Sequence, residues 1–149
     1  MGVAAGTLPT GAVLLDTGLL VALHLADDRW HRTAVQWLRT FDGRLITVEA
    51  VLVETAFFPP VRQRAALAQL AANGTIEVRA LDPPGLKRVG FLLDKYAGLD
   101  PDWADACLVW LAETSGVHRI VTVDETDFST YRINGRTRFE QIRWRGASW

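Results

Sequence analysis

Apolar and polar positions alternate along this chain on two different scales. Short segments with apolar centres at 12–15, 44–47 and 119–123 have the length of buried strands. Between two of them, Trp30, Ala34, Trp37 and Leu38 recur at helical spacing. Strand-length runs separated by helical segments are typical of a parallel sheet covered by helices. The pattern therefore predicts an α/β domain.

Turn and cap residues mark where the predicted elements end. The proline pair at 59–60 stops one helix because proline lacks an N–H donor, and the Asn-Gly pair at 73–74 closes the next. We expect Asp100 to cap a later helix and Pro101 to be its first residue. The complete prediction is strands at 12–15, 44–47, 75–80, 119–123 and 139–144, and helices at 19–25, 30–38, 48–58, 62–72, 83–96 and 101–113.

Length and composition indicate one globular domain. The chain has 149 residues, of which 49% are hydrophobic and 22% charged, and its formal net charge is −1. This is the balance of a domain with one sizeable core. No apolar stretch is long enough to span a bilayer, and the first residues lack the basic start and apolar centre of a signal peptide. We expect a flexible tail at 1–10, a single domain at 11–149 and a cytoplasmic location.

Four single carboxylates stand in otherwise apolar surroundings. Asp16 and Asp124 each directly follow an apolar, strand-like run. Glu54 follows four apolar residues within a predicted helix, and Asp105 is the only charged residue between 103 and 112. Burial disfavours an unpaired carboxylate strongly, and ligand sites of parallel sheets lie beyond the carboxyl ends of the strands. We therefore expect the four acids to share a divalent cation.

Each acid also has an ordinary structural explanation. Asp16 can cap the helix that follows it, and Asp102 and Asp105 can interact with the positive end of their own helix. Asp102 precedes Asp105 by about one turn and reaches the same rim, whereas Glu49 lies on a different helix face from Glu54 and is the weaker candidate. The joint occurrence of the acids favours the shared cation.

The ligand type indicates which cation to expect. Mg²⁺ and Mn²⁺ prefer carboxylate oxygens, and the chain offers no Cys/His cluster for zinc. Surface or packing roles are expected for His24, His31 and His118, which are scattered in the sequence. The lone Cys107 stands in an apolar run and is expected to pack in the core.

Short motifs follow one another in a recognisable order. They are Val13-Leu14-Leu15-Asp16-Thr17-Gly18, then Thr47 with Glu54 seven residues later, then Asp102-Trp103-Ala104-Asp105-Ala106, then Thr122-Val123-Asp124 with Asp127-Phe128. From Val13 onward, this order and spacing resemble the PIN-domain nucleases, in particular the VapC toxins of bacterial toxin–antitoxin pairs. The resemblance implies a three-layer α/β/α PIN-like domain with a central parallel sheet.

The resemblance also implies a chemistry and a set of site residues. The implied activity is that of an endoribonuclease, which hydrolyses RNA through a metal-activated water and leaves a 3′ hydroxyl and a 5′ phosphate. Because the acids repel one another without metal, at least one raised pKa is expected. Carried over by position, the residues holding Mg²⁺ or Mn²⁺ would be Asp16, Glu54, Asp105 and Asp124, with auxiliary roles for Asp102, Asp127, Thr17 and Thr122.

The implied partners are an RNA substrate, a cognate VapB-like antitoxin and a second copy of the chain in a homodimer. Arginine suits bidentate phosphate contacts, and we expect arginines near the groove to bind the RNA backbone, with the choice among them left open. Six arginines are concentrated in the last quarter of the chain. They are Arg119, Arg132, Arg136, Arg138, Arg143 and Arg145. Trp30, Trp37 or the helix after Pro60 is expected to offer apolar surface to a protein partner, although core packing is the expected role of most tryptophans.

Three other interpretations stay open at this point. Asp16-Thr17-Gly18 also matches the active-site triplet of retroviral-type aspartic proteases, which predicts a β-rich chain. A phosphoacceptor receiver domain has a similar acidic sheet edge but requires a later lysine than Lys87 or Lys95. The third alternative is a catalytically idle PIN-like module that only binds a protein partner.

Overall fold

Five short parallel strands form the central sheet of the computed structural model, which describes residues 11–146. Their spatial order is β3-β2-β1-β4-β7, with β1 at the centre between β2 and β4. β5 and β6 form a separate antiparallel hairpin. The strands are β1 (Ala12–Leu15), β2 (Arg44–Val48), β3 (Ile76–Arg79), β4 (Arg119–Val121), β5 (Arg132–Ile133), β6 (Thr137–Arg138) and β7 (Glu140–Gln141).

Helices cover both faces of this sheet, which confirms the predicted three-layer α/β/α architecture. The chain steps outward from β1 to β2 and β3, and then returns to β4 on the other side of β1. Because crossovers between parallel strands are right-handed, this reversal places α1–α4 on one face and α5 and α6 on the other. The helices are α1 (Thr17–His24), α2 (His31–Thr40), α3 (Glu49–Ala56), α4 (Val61–Ala72), α5 (Pro83–Lys95), α6 (Trp103–Ser115) and α7 (Glu125–Thr130).

The buried centre of the domain includes most of α6. Residues 104–112 are all buried, and the helix contacts β2, α3 and α5. A helix that is apolar on all sides can only be stable inside the protein, which explains the long apolar run in its sequence. The same enclosure carries Asp105 into the interior.

The start of α6 differs from the prediction. Asp102, not Asp100, is its N-cap, because Oδ1 of Asp102 accepts a 2.7 Å hydrogen bond from the backbone N–H of Asp105. Asp100 has a φ of 52° and ends a short 3-10 turn at Ala97–Leu99. An N-cap residue needs an extended backbone, so this left-handed conformation excludes Asp100 from the role.

The last quarter of the chain also differs from the prediction. α7 and the β5–β6 hairpin were not predicted, and the last strand is only two residues long, at Glu140–Gln141 rather than 139–144. Such short elements leave no periodic signal. The hairpin did have a local marker, since Asn134 and Gly135 both have positive φ, as Asn-Gly hairpin turns require. The other elements agree with the prediction to within two residues at each end.

The two tryptophans considered as exposed docking surface are partly buried instead. Trp30 meets the buried Trp144 edge-on, with ring centroids 6.5 Å apart, and Trp37 stacks on Phe41 at 4.8 Å. α4 is different, because Leu67 is its only buried residue. The predicted tail at 1–10 lies outside the described residues. Within residues 11–146, no helix is long and apolar enough to cross a membrane.

Candidate active site

The carboxyl ends of β1 and β4 meet where the strand order reverses. The backbone N–H of Asp16, just after β1, donates a 3.0 Å hydrogen bond to the carbonyl of Val121, the last residue of β4. Open parallel sheets bind ligands at such a reversal, beyond the carboxyl ends of the strands. Thr122 and Asp124 leave β4 at this same place, so two predicted site segments converge here.

Asp16 is held on both carboxylate oxygens. Oδ1 accepts a 2.8 Å bond from the backbone N–H of Thr17 and so caps α1, and Oδ2 accepts a 2.6 Å bond from the hydroxyl of Thr122. Only 6% of Asp16 is exposed, and this burial raises its pKa to about 6 despite the two hydrogen bonds. Capping is thus part of what Asp16 does, but it does not remove the cost of its buried charge.

Asp105 is the most strongly perturbed of the acids. It is 3% exposed, and its Oδ2 accepts a 2.8 Å bond from the buried hydroxyl of Tyr131. Burial raises the pKa of Asp105 to about 8, and the charges of Asp102 and Asp16 add to this rise. The neighbours of Asp105 are therefore acids and a neutral hydroxyl, which makes its ionised form costly.

Asp124 and Asp127 bring their carboxylates to Asp105 from α7 and the turn before it. Ligand oxygens of the three aspartates all lie within 4.8 Å of one another. The backbone N–H of Asp124 donates a 2.9 Å bond to the hydroxyl of Thr122 and thereby fixes the turn out of β4. Burial raises the pKa of Asp124, and the charge of Asp127 raises it further. Asp127 thus stands closer to the cluster than its predicted auxiliary role implied.

Glu54 approaches the site from α3 through a threonine. The hydroxyl of Thr17 donates a 2.6 Å bond to Oε1 of Glu54, and Thr17 itself follows Asp16 in the chain. Glu54 is half-buried, and burial followed by the charge of Asp102 raises its pKa despite the hydrogen bond from Thr17. Glu54 therefore flanks the site without belonging to the three-aspartate group. Glu49 is exposed at the start of α3.

Asp102 links these acids electrostatically. Its charge contributes to the raised pKa of Asp16, Glu54, Asp105 and Asp124, more of the site than any other single carboxylate. All eight residues predicted for the site therefore lie at this edge of the sheet, in contact or within electrostatic range of one another. Tyr131 was not predicted, because nothing in the local sequence indicates that the tyrosine after α7 reaches back to α6.

The donor set fits a hard divalent cation. All the site acids offer oxygen, and none of the ion pairs seen in residues 11–146 involves one of them. Raised pKa values are the expected consequence when carboxylates converge without a cation. His24 and His31 bond to backbone carbonyls of Leu20 and Ala22, so their described contacts are structural.

The arginines of the last quarter differ in how far they are engaged. Arg145 pairs with Glu125 at 2.8 Å, and Arg119 pairs with Glu140 at 3.8 Å. Arg132 donates to backbone carbonyls at the carboxyl end of α7. The side chains of the remaining three are exposed, at Arg136, Arg138 and Arg143.

Solved structures with this fold include two from bacterial toxin systems. One is Mycobacterium tuberculosis VapC20, described as a Sarcin-Ricin loop cleaving toxin, with 19% identity and a TM-score of 0.67 over 72% of this chain and 86% of that one. The other is a chain of a toxin–antitoxin complex from Klebsiella pneumoniae, with 19% identity and a TM-score of 0.60 over 87% of this chain and 99% of that one. No curated protein matches the sequence.

The family of the chain follows from its sequence and agrees with this fold. The family model described as PIN domain matches residues 13–133, from the first residues of β1 through β5. The match therefore spans Asp16, Glu54, Asp105 and Asp124 together with the parallel sheet that positions them. The β-rich structure that the aspartic-protease interpretation required is absent from the described residues. The chain belongs to the PIN domain family.

Proposed function

We propose that this PIN-domain protein is a metal-dependent endoribonuclease, the VapC-like toxin of a toxin–antitoxin pair. The observation that carries the proposal is the convergence of Asp105, Asp124 and Asp127 within 4.8 Å, beside the buried Asp16, with no partner cation from the described chain. Such a cluster is costly for the fold unless it binds a cation. Membership of the PIN family supports a nuclease as the class of activity.

Mg²⁺ or Mn²⁺ is the cofactor that this donor set suits. We assign its binding to Asp16, Asp105 and Asp124, with Glu54 completing the set from α3 and with Asp102 and Asp127 in supporting positions. When bound between carboxylates, such an ion acts as a Lewis acid on a phosphodiester and makes a nucleophile available from water at neutral pH.

The side chains around the acids keep them in place. Thr122 holds Oδ2 of Asp16 and also accepts from the backbone of Asp124, so one hydroxyl fixes the relative positions of two acids. Tyr131 orients Asp105, and Thr17 orients Glu54. Partners of this kind restrict the rotamers of ligand side chains and tune their basicity. We assign hydrolysis to water, and the family resemblance implies that it leaves a 3′ hydroxyl and a 5′ phosphate.

RNA and an antitoxin are the partners proposed with this function. The solved relatives are described as a toxin that cleaves the Sarcin-Ricin loop and as part of a toxin–antitoxin complex. The exposed Arg136, Arg138 and Arg143 are suited to the RNA backbone, and single-stranded loops are the accessible targets. A VapB-like antitoxin and a second copy of the chain have apolar surface available around Phe57, which is 84% exposed.

Cleavage of defined RNAs tests the proposal. RNAs with single-stranded loops are incubated with the protein in EDTA, in Mg²⁺ or in Mn²⁺, and the 5′ ends of the products are analysed. We expect cleavage only with the divalent ion, and 5′ phosphates on the products. Asp16→Asn should lower the rate at least about 100-fold, since even the loss of an outer partner of a metal ligand costs 10–100-fold.

The matched control is Asp94→Asn, which neutralises an exposed aspartate on α5. It should cut RNA at the wild-type rate. Metal-independent cleavage, or full activity of Asp16→Asn, would contradict the metal mechanism. A protein that cuts no RNA under any of these conditions would match the catalytically idle alternative instead.

A further inference from the structure

A cavity of about 520 Å³ opens on the Glu54 side of the acid cluster. Glu54 lines this cavity and also accepts the hydrogen bond from Thr17 that ties it to Asp16. We call it the side cavity; its wall includes Val53, Leu86 and Trp103, and its polar groups include Glu49 and Arg79. Its volume is within the range of small-molecule pockets, and it adjoins the acids directly.

Trp103 is the largest side chain on the wall of the side cavity. It is the first residue of α6, directly after Asp102, and 50% of it is exposed. Val53 and Leu86 on the same wall are also exposed. Apolar side chains left open to water within a cleft mark a binding site more often than a single exposed residue on a convex surface does. An indole face in this position offers a stacking surface for a planar ligand.

Arg79 adds a cation to the same cavity. Its described ion pair with Glu77 is 3.6 Å long, while both oxygens of Glu77 accept shorter bonds, of 2.8 and 2.9 Å, from Arg44. Arg79 is therefore only weakly engaged, and its guanidinium can contact a phosphate or a base edge. Glu49, exposed beside it, offers an acceptor for an exocyclic amino group.

We infer that the side cavity binds one unstacked nucleobase of the RNA, next to the phosphodiester at the acid cluster, with Trp103 stacking on the base. The inference rests on the proposed function, because it assigns the position of the scissile phosphodiester to the acids. A planar aromatic wall, a cation and an edge acceptor around one cavity correspond to the parts of a nucleotide. They favour a base over an apolar side chain of a protein partner.

Binding of a fluorescent RNA tests the stacking without any cleavage. Single-stranded oligoribonucleotides that carry 2-aminopurine at one position, moved along the strand, are titrated with the full chain in EDTA. At one position we expect the fluorescence to be quenched on binding. Trp103→Ala should abolish this quenching and weaken binding roughly tenfold, the loss of one base–aromatic stack, while Trp103→Phe should retain part of both.

Phe91→Ala is the matched control for Trp103→Ala. Phe91 is an aromatic residue of similar exposure, 54%, on α5, and it does not line the side cavity. Its removal should leave quenching and affinity unchanged. Quenching that survives in Trp103→Ala at every position would overturn the inference, as expected if the cavity instead accepts a side chain of a protein partner.

Cleavage of RNAs with a single abasic residue separates the two proposals. If the wild-type protein cuts, one abasic position should raise KM roughly tenfold with little change in kcat, and Trp103→Ala should no longer distinguish that RNA from the intact one. Cleavage that is insensitive to every abasic position overturns the base site and leaves the nuclease intact. Quenching that depends on Trp103 in a protein that cuts nothing supports the base site and overturns the nuclease.

Discussion

The two ends of α6 each carry a carboxylate that is largely removed from water. The two carboxylates differ in their partners, because only one of them pairs with a cation. Near the carboxyl end, Glu113 accepts two 2.8 Å bonds from Arg88 and a third from the backbone of Asn134. Near the amino end, Asp105 accepts a bond from the neutral hydroxyl of Tyr131 and lies among other acids, which together with burial raise its pKa to about 8.

This difference distinguishes a carboxylate with a structural role from one that is proposed to bind a divalent cation. Where the protein supplies the cation, the carboxylate joins two helices and stabilises the fold. Where it does not, ionisation of the carboxylate is costly, and under the proposed function a bound divalent cation would offset that cost. Substitutions at the two ends of α6 should therefore change different properties of the protein.

The largest expected difference is in RNA cleavage. Asp105→Asn should lower the cleavage rate at least about 100-fold, because it removes a proposed metal ligand. Glu113→Gln, the equivalent change at the other end of α6, should leave cleavage close to the wild-type rate. Rates are compared under single-turnover conditions with Mg²⁺. Equal loss in both variants would indicate a general structural effect and remove the functional distinction.

A tenfold effect on Mg²⁺ affinity is expected when Asp105 is kept and only the hydrogen bond that it accepts is removed. Tyr131→Phe deletes the hydroxyl that donates to Asp105 but keeps the ring, which packs edge-on against Tyr96 and Phe128. We expect roughly tenfold weaker affinity for Mg²⁺, seen as a higher metal concentration at half-maximal rate, with an unchanged KM for RNA. A change in KM alone would place Tyr131 in RNA binding rather than in orienting Asp105.

Substitutions in the Arg88–Glu113 pair, at the carboxyl end of α6, should change the stability of the protein rather than its activity. Arg88→Ala leaves Glu113 without its cation, and we expect a loss of about 1–3 kcal/mol in the free energy of unfolding, measured with urea. Arg44→Ala removes an equally short but exposed pair with Glu77 and should therefore cost less stability than Arg88→Ala. Asp105→Asn should not lower stability at neutral pH, because burial already disfavours the ionised form of Asp105 and an amide oxygen can still accept the hydrogen bond from Tyr131. A large destabilisation by that variant would argue against this assignment.

The last expected effect is a dependence of the melting temperature on pH and on metal. The ordinary pKa of an aspartate is 3.8, and in the folded protein those of Asp16 and Asp105 are raised to about 6 and about 8. The folded state therefore holds these protons more tightly than the unfolded state. Their contribution to stability is complete below pH 3.8 and is lost as pH rises through 6 and 8.

In thermal melts in EDTA, the contribution of Asp16 and Asp105 to the melting temperature should accordingly decrease as pH rises to 8. Mg²⁺ or Mn²⁺ should raise the melting temperature most at pH 8, where the acids are ionised and bind the cation best. In Asp105→Asn the upper part of the pH dependence should flatten. An absence of any metal effect on the wild-type protein at pH 8 would count against the cation site.

The sequence supported the prediction of the sheet more strongly than that of the last quarter of the chain. Strand β1 is a continuous apolar run because both of its faces are covered, and that signal is local. α7 and the β5–β6 hairpin are too short for periodicity, and the Asn134-Gly135 pair is the one local signal for the hairpin turn. The choice between Asp100 and Asp102 as N-cap depended on backbone conformation, because both residue types suit the position.

The candidate site shows the same division. Single acids in apolar runs identified Asp16, Glu54, Asp105 and Asp124, because an unpaired charge in a buried segment is conspicuous in the sequence alone. The sequence alone did not predict which of these acids lie closest together. Asp127 joins Asp105 and Asp124 in the closest group, whereas Glu54 reaches the site through Thr17.

Hydrophobic patterning thus specified a parallel α/β domain and the acids at its strand ends, since burial and secondary structure act over neighbouring residues. Folding decided which distant groups meet. Tyr131 lies 26 positions from Asp105, and Thr122 lies 106 positions from Asp16, yet each donates a hydrogen bond to that acid. Contacts of this kind arise from the reversal in strand order at β1 and β4. This reversal depends on how the helices pack on the sheet, and no local sequence pattern predicts it.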